Sequence, residues 1–344
     1  MNIELLSEKA REILTLIIDT YIKTGNPVGS SSLVDKYKLS YSSATVRNTM
    51  SELMKLGYLR QPHISAGRIP TDKGIRFYTD TLISKHYLTK KKERVLFDKY
   101  FNIDGTIDEI VQKITKALSK ISNYTGLATV PDIRVVKINS AEIISLGSKK
   151  LLIILVFEGG LTEKTVVRTE RVVSKELLNK MSDYLNKLSF GLTLKQLNDY
   201  VLSKLKNERQ IYNSIFESIV KVSTKVLEEN QRSDVYIEGQ MSMLKNHNYS
   251  KRHNLEVLFN AFEEKDLLIR ILEDVMRDKT TKVFVGEENG IPEGYSIIAA
   301  PYGPRSKLGS LGIIGPSSMD YSRIIPLVNF TAKYVSNLVS EEGG

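Results

Sequence analysis

At 344 residues, 41% of them hydrophobic and 26% charged, the chain is too long for one small core and too apolar to stay unfolded, so two or three folded domains are expected. It contains no cysteine, which excludes disulfides, thiolate metal sites and cysteine nucleophiles. The net charge of +9 is unevenly placed, with 13 basic against 4 acidic residues between Lys36 and Arg94 and 36 of each in the rest of the chain.

A local basic excess is the footprint of a domain that meets a polyanion, although a solvated charged face has the same composition. Met1 to Glu8 carries acids where a signal peptide carries bases. The longest apolar run, Leu151 to Phe157, falls far short of the ~20 residues that span a bilayer. A cytoplasmic chain without membrane contact is the expectation.

From Ser7 to Thr24 the apolar residues Ile13, Leu14, Ile17, Ile18, Tyr21 and Ile22 recur at three and four, the stripe of an amphipathic helix. Gly25-Asn26-Pro27 ends it. A short second helix starts among Ser30, Ser31 and Ser32 and buries Leu33, Val34 and Tyr37. A third comes next, capped by Ser42 or Ser43 and running to Lys55 or Leu56, with Gly57 beyond its end.

In the third helix Val46, Met50 and Leu53 define the buried face. Ala44, Asn48, Ser51 and Lys55 then lie nearly opposite, with Thr45 and Arg47 on the flanks. Small residues permit close approach to the major groove, Asn pairs bidentately with adenine and Arg with guanine. An ordinary solvated helix face has the same composition, and the segment after Gly57 decides between the two. Tyr58-Leu59-Arg60 has strand character, Gln61 to Ala66 is a polar loop broken by Pro62, and Gly67-Arg68-Ile69-Pro70 returns toward the core. Gly67 supplies backbone freedom at the tip of this ribbon, and Arg68 reaches a phosphate or a narrow minor groove. Thr71-Asp72-Lys73-Gly74 caps a further helix. The order is that of a winged helix-turn-helix. Its DNA-contacting residues are Ser42, Ser43, Ala44, Thr45, Arg47, Asn48, Ser51 and Lys55 on the helix, with Gln61, His63, Gly67 and Arg68 on the wing.

Four blocks in this region carry a resemblance: Pro27-Val28-Gly29-Ser30, Ser43 to Met50, Leu56-Gly57-Tyr58-Leu59, and Gln61 to Gly74. Together they resemble the heat-inducible transcription repressor family HrcA. The later block Gly312 to Tyr321 is similar to that family too. The sequence departs from the family at Ser31 and Ser318, where Arg or Lys and Arg, respectively, are common.

Beyond the wing, residues 85–99 read as a basic linker or the start of a connecting helix, and Ile107 to Tyr124 as an amphipathic helix. Strand-like runs come next at Val135 to Leu146, Leu151 to Phe157 and Thr165 to Val173. Ser174 to Asn230 is helical in pattern. Strands return at Val235 to Ile237, Val283 to Val285, Tyr295 to Ala300 and Leu311 to Ile314, and a last helix aligns Ile325, Val328, Ala332, Val335 and Val339.

The fold class expected is α+β and multidomain. The resemblance implies a GAF-like α+β domain holding an inserted, mainly helical dimerisation domain. The expected boundaries are 1–88 for the winged domain, 89–104 for a linker, 105–170 with 250–344 for the GAF-like domain, and 171–249 for the insert.

An enzyme finds no support in the inventory. The four histidines, His63, His86, His247 and His253, lack metal-ligand or triad company, and no Gly-rich phosphate loop is present. No catalytic residue, cofactor or metal is expected. The resemblance implies a homodimer on an inverted-repeat DNA operator of chaperone operons, inactivated by heat and kept active by the chaperonin. Two other roles fit the same residues: a GAF-like domain that receives a small ligand, or a wing that contacts protein rather than DNA.

Overall fold

The computed structural model describes residues 6–64, 66–84, 107–147, 149–169, 172–205, 234–240, 260, 262–263, 265–286, 290–303 and 308–341. The expected linker, the predicted helical residues 206–230, and His86, His247 and His253 lie outside them.

Helix α1 (Glu8–Thr24) starts where the Ser7 hydroxyl accepts from the Ala10 amide at 3.3 Å. It ends where Gly25 turns left-handed and donates its N–H to the Tyr21 carbonyl. Its stripe Ile13, Leu14, Ile17 and Ile18 is fully buried. Helix α2 (Ser30–Tyr37) adds Leu33, and α3 (Ser43–Lys55) adds Val46, Met50 and Leu53. Burying each such side chain stabilises by about 1.5–3 kcal/mol, so short helices that are marginal alone hold one another. An antiparallel ribbon of β1 (Leu59–Arg60) and β2 (Ile69–Pro70) comes directly after α3, with Leu59 opposite Pro70 and Arg60 opposite Ile69. Helix α4 (Asp72–Ser84) then turns Ile75, Tyr78 and Leu82 inward. Element order matches the sequence expectation here, but of the residues expected to be buried in α2 only Leu33 is; Val34 and Tyr37, like Tyr21 and Ile22 of α1, are half-buried at the rim of the core.

Helix α5 (Ile107–Ser122) leads into β3 (Thr125–Thr129), a strand the sequence pattern does not reveal. It lies in a five-stranded antiparallel sheet ordered β7 (Val235–Glu238), β3, β10 (Gly309–Pro316), β9 (Tyr295–Tyr302), β8 (Lys282–Val285). Alternation along the strands sorts the side chains into two layers. Ile297, Ala299 and Ile314 join Leu268, Ile271, Leu272 and Val275 of α8 (Asp266–Asp278). Ile298, Ala300, Leu311 and Ile313 join α5 and α9 (Tyr321–Glu341). Buried hydroxyls are satisfied within the sheet: Tyr302 donates to the Thr129 carbonyl at 2.8 Å and Tyr321 to the Ser296 hydroxyl at 2.8 Å. Burial pushes both phenols far above their ordinary pKa, so they stay neutral donors.

A separate sheet is made of β4 (Ile138–Ser145), β5 (Lys150–Phe157) and β6 (Thr162–Arg168), with α6 (Lys175–Ser189) against it and α7 (Leu194–Leu205) next in the chain. Side chains of α6 cap the open edge of β4: Asn186 and Ser182 accept from the Ala141 and Ile143 amides at 2.9 and 3.1 Å. The expected grouping, 105–170 with 250–344 and 171–249 apart, therefore does not follow the hydrogen-bonded strands. Among the described residues, strands 138–168 pair only with one another, while β7, from within 171–249, pairs with β3. Among the described residues, 138–205 form a three-stranded sheet with two helices.

Helix α4 is where the first three helices meet the five-stranded sheet. Arg76 donates to the Val283 carbonyl on the edge strand β8, and the Tyr78 and Tyr321 rings meet edge-on with centroids 6.5 Å apart. Asp72 sits directly against Gly286.

Candidate nucleic-acid interface

Helix α3 keeps its predicted outer face in water. Ser42, Ser43, Ala44, Arg47, Asn48, Ser51 and Lys55 are exposed and Thr45 is half-buried, while Val46, Met50 and Leu53 anchor the opposite side in the core. The helix starts on a local cap: the Ser42 hydroxyl accepts from the Thr45 amide at 3.1 Å and shares a 2.9 Å hydrogen bond with the Thr45 hydroxyl. The Ser51 hydroxyl is turned back onto the helix, donating to the Arg47 carbonyl at 3.0 Å. Ser51 thus presents an acceptor outward rather than a donor. Arg47, Asn48 and Lys55 remain as the long polar side chains of this face, and the equally exposed Glu52 shares the helix surface.

The ribbon differs in detail from its sequence reading. Gly67 lies in the loop just before β2, against Val28, rather than at the exposed tip, and its φ is not in the left-handed region. What it provides is space: a Cβ there would stand 2.5 Å from the carbonyl carbon and oxygen of Val28. That contact is the second seam of the ribbon. Val28 and Arg68 exchange both main-chain hydrogen bonds, each 2.8 Å, tying the wing to the turn before α2. The Arg68 side chain lies against the wing, donating to the Ala66 carbonyl at 3.2 Å, and its Nε is buried without a partner. Gln61, expected at DNA, braces the loop: its amide donates to the carbonyls of Ile64 at 2.8 Å and Ala66 at 3.0 Å. His63 and Ile64 form the exposed tip. Ile64 is an apolar residue in a polar loop, a signal present in the sequence to which periodicity assigns no role.

The helix and ribbon are fixed to one another from behind. Thr71 donates its hydroxyl to the Gly57 carbonyl at 2.6 Å, and Lys73 donates to the Leu56 carbonyl at 2.9 Å while lying 4.5 Å from the centre of the Tyr58 ring. A rigid helix with one polar face left in water, in the most basic part of the chain, suits a large anionic partner with hydrogen-bonding groups in a groove.

Elsewhere, a cleft of about 530 Å³ opens between β3, the start of β10 and the end of α8, with Arg134, Val135, Met276, Lys279 and Leu308 among its lining. Arg134 is held there by Asp132, which accepts from its Nε at 2.8 Å and Nη2 at 2.9 Å. Among the described residues no group of acids and histidines is arranged to hold a metal ion, and no helix is long and apolar enough to cross a membrane.

Residues 108–325 match the family model described as the HrcA protein C-terminal domain. Two relatives named heat-inducible transcription repressor HrcA are each 34% identical to this chain. That of Syntrophobacter fumaroxidans aligns over 343 residues, 98% of this chain and 99% of its own, and that of Geobacter sulfurreducens over 340 residues with the same coverage. A solved structure described as that of a hypothetical protein covers 98% of this chain and 100% of its own with a TM-score of 0.64 at 22% identity, which shows a shared fold.

Proposed function

Because the chain belongs to the HrcA family, whose relatives are named heat-inducible transcription repressors, we propose that it represses transcription by binding duplex DNA through a winged helix-turn-helix in residues 1–88. Helix α3 enters the major groove, with Arg47 and Asn48 reading base edges and Thr45 and Ser51 beside them. Ser42, Ser43 and Lys55 hold the phosphates that flank the groove. Two copies bind an inverted repeat, since two-fold symmetry in the protein matches two-fold symmetry in the operator. The five-stranded sheet with α5, α8 and α9 is the GAF-like domain, and residues 138–205 are the inserted unit through which copies pair. Heat removes the active dimer from operators of chaperone genes in the cytoplasm, and the chaperonin restores it.

The observation that carries this reading is the outer face of α3: exposed, polar, cationic and backed by a rigid core. The test compares Arg47→Ala and Asn48→Ala on a duplex selected from a random pool and on unselected duplex. Each substitution should cost about 1–3 kcal/mol on the selected site alone, whereas Lys55→Ala should weaken both and lower the salt slope by about 1. Equal losses of Arg47→Ala and Asn48→Ala on both duplexes would remove the base-reading roles.

The cleft beside Arg134 favours a second role alongside the first, reception of a small ligand. A thermal-shift screen on wild type and Met276→Trp, which fills the cleft, tests it: a stabilising ligand should lose its effect in the variant.

A further inference from the structure

Ile64 is fully exposed, the most exposed large hydrophobic side chain among the described residues. Its position is not that of a slack loop. The Gln61 amide holds the Ile64 and Ala66 carbonyls, the Ala66 amide donates to the His63 carbonyl at 2.9 Å, and the ribbon base is zipped to Val28. A braced ribbon thus holds an isoleucine in water, where its whole apolar surface is hydrated at a cost that burial would recover. Single exposed hydrophobics are common. This one differs in standing at the tip of a projection that leaves directly from the C-terminus of α3, within the most basic stretch of the chain.

An apolar tip within the most basic stretch of the chain has a matching surface in duplex DNA. The minor groove of A·T-rich sequence is narrow and strongly negative, and its floor lacks the guanine amino group that would obstruct an alkyl side chain. Proteins enter that groove with Ile, Leu or Phe wedged at a base step, opening the step and bending the duplex. Resting on the DNA-binding role given above, we propose that Ile64 is the apolar wedge of the wing, entering the minor groove of A·T-rich DNA beside the site read by α3. The neighbouring His63, also exposed, then faces the acceptor atoms of the same floor.

The experiment uses the full chain as wild type, Ile64→Ser and Ile64→Leu. The probe is a duplex selected by the wild type, with its flanks rebuilt as A·T or G·C, and dye-labelled ends report bending. Wild type should favour A·T flanks by about tenfold, the low end of the effect of one base-pair position. Ile64→Ser should lose that preference and the bend, while Ile64→Leu retains both. The salt slope should not change, since no charge is removed. Equal melting temperatures would show that the variants fold alike.

The wedge is overturned if Ile64→Ser keeps the wild-type flank preference and bend, or if it loses the same factor on both flanks. It is overturned in favour of a protein contact if Ile64→Ser binds every duplex like wild type but no longer self-associates. If wild type itself binds no duplex, the DNA-binding role falls and the wedge with it, an outcome distinct from failure of the wedge alone.

Discussion

In the five-stranded sheet, polar side chains that leave water find partners inside the fold: Thr129 joins β3 to Ser310 and Tyr302, and Tyr321 closes on Ser296 and the Ser317 carbonyl. Along α3 the arrangement is reversed. Arg47, Asn48 and Lys55 extend from a buried apolar seam into water. The contrast reaches the wing, where Arg68 Nε is the one buried side-chain nitrogen or oxygen, among the described residues, that has no partner. A region complete in itself transmits substitutions into stability. A region completed by something outside the chain transmits them into binding.

The strongest test of that division lies in the sheet layer. Leu272 is fully buried between α8 and the strands, and Leu272→Ala should destabilise the protein by about 2–5 kcal/mol, the transfer loss plus the cavity left behind. Denaturant unfolding measures the loss, and titration of the folded fraction at low temperature measures DNA affinity. Unchanged affinity per folded molecule is expected; a matching fall in affinity would show that the two regions are not separable.

A smaller effect is expected where the two behaviours meet. In Gly67→Ala the added carbon would stand 2.5 Å from Val28 main-chain atoms, which cannot yield as a flexible side chain can. The ribbon must shift, at about 1–3 kcal/mol for an overpacked site, and the Val28–Arg68 pair opens. Both stability and DNA affinity should fall, with affinity recovering none of its loss on cooling. If only stability falls, the wing is not part of the interface.

The same division explains what the sequence discloses. Local periodicity is enough for α1, α2 and α3, because a helix with one buried stripe shows it at 3.6 residues per turn whatever it packs against. It also places the outer face of α3, since a face without intramolecular partners is the complement of a buried one. Strand β3 escapes notice for the opposite reason. Thr125–Thr129 is buried on both faces, so no alternation marks it, and Gly126 reads as a breaker. In the fold Gly126 admits α5, as a Cβ there would lie 2.4 Å from the Thr115 carbonyl. The division into two sheets is hidden because pairing partners of the five-stranded sheet lie far apart in sequence, β3 with β10 above all. The places of Gly67, Gln61 and Arg68 are illegible too, because each is set by contacts with Val28 or with the loop's own carbonyls, which periodicity does not encode.

The smallest effect is expected at the seat of α4, and it asks whether the two regions are merely adjacent or mechanically joined. Arg76 donates to the Val283 carbonyl at the sheet edge and lies 3.5 Å from Asp80, with about a third of its side chain exposed. A second polar link, Arg60 to Glu293 at 3.9 Å, is more than half exposed at both ends and contributes little. Removing the guanidinium by Arg76→Ala should therefore cost about 1 kcal/mol, the net worth of one partly hydrated hydrogen bond. The Tyr78–Tyr321 contact remains and keeps the helices seated at low temperature. On warming, amides of α1 and α3 should exchange with solvent sooner than in wild type, while those of β9 and β10 should keep their protection, since their partners are untouched. Arg76 lies outside the α3 face, so DNA affinity at low temperature should not change. If both sets of amides lose protection together, the seat transmits opening in either direction and the molecule is one cooperative unit. If neither set moves, Arg76 is a surface contact that does not hold the joint.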